Sequence, residues 1–107
     1  MTPQRRFTLI YAPIIRQHLK TIDPKMYPLI RSEVETQLQF QPDIETRNRK
    51  PLKHPVVFGA KWEIRFGPNN RFRVFYRIDV DQAQVLNLAI AEKTGNRLII
   101  GGEEIEL

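Results

Sequence analysis

Residues 61–80 read Lys61-Trp62-Glu63-Ile64-Arg65-Phe66, then Gly67-Pro68-Asn69-Asn70, then Arg71-Phe72-Arg73-Val74-Phe75-Tyr76-Arg77-Ile78-Asp79-Val80. Trp62, Ile64 and Phe66 alternate with Lys61, Glu63 and Arg65. Phe72, Val74, Tyr76, Ile78 and Val80 alternate in the same way with Arg71, Arg73, Phe75, Arg77 and Asp79. Alternation with period two, bounded by turn residues, marks half-buried strands. Gly67 to Asn70 supplies the residues of a hairpin loop. A weaker turn at Asp79–Gln84 leads into Val85-Leu86-Asn87-Leu88-Ala89-Ile90-Ala91-Glu92-Lys93. The stretch predicts three antiparallel strands in a meander, apolar on one face and carrying arginines on the other.

Upstream, Arg5 to Tyr11 reads as a first strand with Phe7, Leu9 and Tyr11 on one side. Ile14, Ile15, His18, Leu19 and Ile22 then recur at helical spacing, predicting a short helix over about Pro13–Thr21. Asp23-Pro24 stops that helix and starts another. The second helix reaches about Phe40, its regular part starting near Tyr27 or Pro28, with Ile30, Val34 and Leu38 along one stripe. Glu45 to Pro55 predicts an ordered basic loop, and Val56-Val57-Phe58 with Gly59 enters the meander. Downstream of Thr94-Gly95-Asn96, Arg97–Ile100 predicts a last short strand, broken by Gly101-Gly102 ahead of an acidic tail. The expected fold is α+β in one domain. It runs strand, helix, helix and three-stranded meander, with both helices on the apolar sheet face and a wet face bearing Arg65, Arg71, Arg73 and Arg77.

With 107 residues the chain has room for one core and not two. It has no cysteine, which removes disulfides and thiolate metal sites from consideration. No apolar run approaches the roughly 20 residues of a membrane helix, so a cytoplasmic protein is expected. The net charge is +5 and unevenly placed. Between Thr46 and Arg77 nine cations (Arg47, Arg49, Lys50, Lys53, Lys61, Arg65, Arg71, Arg73, Arg77) meet one acid, Glu63. Such a concentration favours a polyanion or an acidic protein segment as partner.

Neither His18 nor His54 has Asp, Glu or a second His at a metal-ligating spacing, and no phosphate loop, hydrolase elbow or dinucleotide fingerprint is present. His18 lies on the helix stripe and reads as a packed residue, whereas His54 sits in the basic loop. Tyr76 points to the core face and reads as a core aromatic with a bonded hydroxyl. The remaining chemistry is a cationic, metal-free and cofactor-free site. Arginine suits the gripping of phosphate, and a lysine, histidine or tyrosine would have to move protons.

The order of elements, with Trp62-Glu63-Ile64-Arg65-Phe66, Phe72-Arg73-Val74-Phe75-Tyr76-Arg77-Ile78 and Leu88-Ala89-Ile90-Ala91-Glu92-Lys93, resembles the RelE/ParE superfamily of bacterial toxins over essentially the whole chain. The resemblance implies a small basic toxin neutralised by a cognate antitoxin, cutting messenger RNA on the ribosome without a metal. Alternatively it implies a ParE-like gyrase inhibitor, or an inactive relative that binds antitoxin or RNA. It places Arg73 at the family's phosphate-gripping position, Arg65 at the position of a lysine assigned general-base work, and Lys93 at a further basic position. Arg47, Arg49, Lys50, Lys53, Lys61, Arg71 and Arg77 are then expected to hold RNA. Two departures stand out: Glu63 replaces a lysine, and Ile99 matches the family's C-terminal catalytic tyrosine. Lys93 or His54 would have to compensate.

Overall fold

The computed structural model describes residues 5–54 and 59–105. Among these, β1 (Thr8–Tyr11) leads to α1 (Ile15–Leu19) and α2 (Tyr27–Leu38). There follow β2 (Arg49–Pro51), β3 (Trp62–Phe66), β4 (Phe72–Asp79), β5 (Gln84–Thr94), β6 (Arg97–Ile100) and β7 (Glu103–Ile105). One sheet holds them in the order β2-β3-β4-β5-β6-β7, and β1 joins β5 in parallel. The fold is α+β, and β3, β4 and β5 form the antiparallel meander that the alternation predicts.

The α2 stripe does what its spacing requires. Ile30, Val34 and Leu38 are all buried, and with Ile15 and Ile22 they meet Ile64, Phe66, Phe72, Val74 and Tyr76 from the sheet. Trp62 stacks on Tyr76 with ring centroids 6.2 Å apart. The Tyr76 hydroxyl is buried and donates to the Pro42 carbonyl at 2.7 Å, and burial pushes its pKa well up. Tyr76 is therefore a core residue.

Several boundaries differ from expectation, each for a local reason. Regular α1 spans only Ile15–Leu19, because the Thr21 hydroxyl takes the His18 carbonyl at 2.8 Å and the Asp23 side chain caps the next turn at the Lys25 N–H. The basic connector is not wholly loop: Arg49–Pro51 pairs antiparallel with β3 after a tight turn at Thr46–Arg49. Val56, Val57 and Phe58, expected to enter the meander, lie outside the described residues. Gly101-Gly102 turns the chain instead of releasing it. Both have positive φ, 60° and 85°, as a two-residue hairpin turn demands, and the acidic segment returns as β7 against β6.

His18 has a definite place in this plan. The second edge of β5 is taken by β1 up to Asn87 and by β6 from Ala91, which leaves a gap between them. His18 from α1 fills it, its Nδ1 accepting the Ile90 N–H at 3.2 Å. Burial favours the neutral ring and lowers its pKa. The unfolded chain therefore takes up a proton near pH 6.5 that the folded chain resists. Stability from this group is complete above that pH and declines as pH falls below it. Urea midpoints should drop between pH 7.5 and 5.5 in the native chain and drop less in His18→Gln. Equal slopes in both would disprove the assignment.

Candidate functional site

The face of the sheet away from the helices holds the cations, but it is not the uniformly wet surface expected from the alternation. Phe75 on β4, Ala89 and Ala91 on β5, and Leu98 and Ile100 on β6 are buried there with Ala60, flanked by Leu52, Leu88 and Ile105. The hairpin turned by Gly101-Gly102 supplies part of this second apolar layer. The small alanines of β5 leave it shallow.

Arg65 and Arg73 face one another directly across the β3–β4 ladder. Like charges in that position destabilise a sheet unless something neutralises them. Glu63, two residues before Arg65 on the same face, does so. Its Oε1 accepts from Arg65 Nε at 3.0 Å and Nη2 at 2.8 Å. Its Oε2 lies 3.9 Å from Arg73 Nη1, an ion pair without a hydrogen bond. Glu63 is 5% exposed, a carboxylate that this pairing alone makes tolerable indoors. Burial, and then Arg65, push the Arg73 pKa down, while Glu63 raises it. An arginine keeps its charge regardless.

Beside Arg73 the sheet opens into a cleft of about 490 Å³ lined by Arg73, Lys93, Asn96, Arg97, Leu98 and Glu104, with Ile105. Lys93 reaches it because it lies two residues beyond Ala91, the cross-strand partner of Arg73. A larger groove of about 690 Å³ lies on the helix side, lined by Tyr11, Leu19, Tyr27, Ile30 and Val34 among others. Its walls are mainly apolar, so it suits packing more than chemistry. The smaller, cationic cleft is the candidate site.

The other predicted residues divide clearly. Lys50 pairs in register with Glu63, exposed at the margin of the same face. Arg47 is exposed in the turn before β2. Arg49, expected to hold RNA, is buried: its Nη1 donates to the carbonyl of Gln37 at 2.9 Å and to that of Gln41. It fastens β2 to the end of α2 and has no donor to spare on Nη1. Arg71, expected on the arginine face, turns to Glu92 at 2.5 Å and lies over the Phe72 ring. Arg77 is exposed on β4 four residues from Arg73, about 13 Å along the strand. Lys61 is a similar distance from Arg65, and the Leu52 N–H donates to its carbonyl. Lys53 and His54 follow Leu52, exposed at that end and away from the cleft. Ile99 pairs with Glu92 and Glu104, on the opposite face from Lys93 and Leu98.

Sequence reasoning therefore missed Glu63 as the organiser of the cluster. The available signal was its isolation, one acid among nine cations. Among the described residues no group of three or more His, Asp or Glu is placed to hold a metal, and no helix is long and apolar enough to cross a membrane.

No family model matches this chain, and no curated protein matches it. Among solved structures, it is similar to a chain of the toxin–antitoxin complex RelBE2 from Mycobacterium tuberculosis. The TM-score is 0.63 at 22% identity, over 82% of this chain and 99% of that one. At that identity the likeness is one of fold: the chain shares its architecture with a component of that complex.

Proposed function

We propose that the chain is the toxin of a toxin–antitoxin pair and acts as a metal-independent, ribosome-dependent messenger RNA endoribonuclease. The observation that carries this reading is the cleft in which Arg73 and Lys93 stand together, on a fold shared with a component of a toxin–antitoxin complex. The 2′-hydroxyl of RNA attacks the adjacent phosphorus, and the bond to the 5′-oxygen breaks, leaving a cyclic phosphate and a 5′-hydroxyl. Negative charge grows on the non-bridging oxygens, and Arg73, with Arg65 behind it, answers that charge. Lys93, the lysine that lines the cleft, gives its proton to the departing 5′-oxygen, a task arginine cannot perform, and the proton of the 2′-hydroxyl leaves to water. Lys50 and Arg47 hold the flanking backbone at the margin.

An antitoxin has two features to use. Acidic residues laid over Arg73 and Lys93 would block the cleft, and an apolar segment would fit the groove between the helices and β1. Inducible expression in a bacterial host, with mapping of messenger RNA 5′ ends, tests the reading. New cuts within translated regions are the expected result. Growth arrest with intact transcripts and a DNA-damage response would transfer the protein to the gyrase-inhibitor class.

A further inference from the structure

We propose that Glu63 is a built-in competitor for the phosphate site, so that an incoming phosphate must take Arg73 away from this carboxylate. The inference rests on the ribonuclease reading for its substrate class, a phosphodiester. The geometry is asymmetric. Toward Arg65 the carboxylate is fully engaged, with two hydrogen bonds on one oxygen. Toward Arg73 it is only half engaged, with 3.9 Å between Oε2 and Nη1. Glu63 Oε2 and Arg73 Nε are both buried, and among the described residues neither has a hydrogen-bond partner.

A buried ion cluster left half satisfied is a poor stabiliser, because each orphaned polar atom keeps its desolvation cost. Such an arrangement suits an exchange. Arg73 is held close enough to stay aligned but not bonded firmly enough to resist a better acceptor. A phosphate offers one, since its oxygens match the guanidinium fork and carry more charge than a carboxylate already shared with Arg65. Arg65 stays bound to Glu63 and keeps that carboxylate from following. Glu63 is thus a positioning residue that also weakens the site for anions lacking the right geometry.

The test uses inorganic phosphate with the full-length isotope-labelled protein, following arginine Nε–H and glutamate carboxyl resonances by NMR. The Arg73 Nε–H and Glu63 carboxyl signals are expected to move together on titration, with Arg65 Nε–H nearly still. In Glu63→Gln the phosphate midpoint should fall about tenfold, as expected for removing one partly screened charge a few ångströms away. An unchanged or raised midpoint would overturn the proposal. If that variant does not fold, the native protein decides alone: Arg73 shifting while Glu63 stays still refutes exchange, and so does an Arg73 signal that never responds. The readout needs no RNA, so absence of cuts in cells would sink the ribonuclease reading without touching this result.

Discussion

Replacing Arg49 with methionine is expected to lower the melting temperature by roughly 15 °C. The substitution keeps the aliphatic stem and deletes the charge, leaving the carbonyls of Gln37 and Gln41 without the donor they share. Hydrogen bonds to a charged group contribute about 1.5–3 kcal/mol each. The Gln37 carbonyl lies in the last turn of α2, where carbonyls run out of helical partners, and Gln41 lies just beyond it. A combined loss of about 3 kcal/mol is expected, and about 4–8 °C per kcal/mol applies to a chain of this size. Lys50→Met, one residue along and exposed, should melt within a degree or two of the native protein. Thermal unfolding followed by circular dichroism makes the comparison. A native-like melting curve for Arg49→Met combined with lost RNA affinity would restore Arg49 to the binding surface.

Arg73→Ala should reduce ribosome-dependent cleavage on the order of 100-fold, the usual cost of removing one donor to a developing oxyanion. Its stability should change little, because Arg73 shares no hydrogen bond with Glu63 and the Glu63–Arg65 pair survives. Arg73→Lys should recover only a small part, since a point charge cannot grip two phosphate oxygens as a fork does. Arg77→Ala, about 13 Å along the strand, should stay within about twofold. Rates on programmed ribosomes provide the measurement. Cleavage within a few-fold of native in Arg73→Ala would remove strand β4 from the site.

Much of the layout was legible because it is written in local periodicity. Ile30, Val34 and Leu38, four residues apart, are all buried, and the alternation from Trp62 to Ile78 yields two strands with the expected faces. Arg73 and Lys93 were nominated from the sequence, and the fold brings them to one cleft. What escaped depends on partners far away in the chain. Nothing near Arg49 announces that the carbonyls at the end of α2 will arrive above it. The single Phe75 among arginines gives no hint of Leu98 and Ile100, which reach it only through the β5–β6 pairing. Two glycines read as a break because their positive φ values, which make a tight hairpin, are invisible in one dimension. Glu63 looked like a lost catalytic lysine, and its bond to Arg65 is a matter of geometry more than of residue type.

The parallel pairing of β1 with β5 bears on when this molecule comes into being. Thr8 sits beside Gln84 and Tyr11 beside Asn87, so the first strand has no sheet partner until three quarters of the chain has been made. β4 waits for the same strand, with which it makes its longest ladder. Contacts this distant in sequence carry a large closure cost and form late. During synthesis the amino-terminal third is therefore a tethered segment without its sheet. The cleft needs Lys93, Leu98 and Ile105 as well, so it forms only after those residues have been added. If the proposed ribonuclease reading holds, a ribosome making this protein meets no assembled cleft until those residues have emerged.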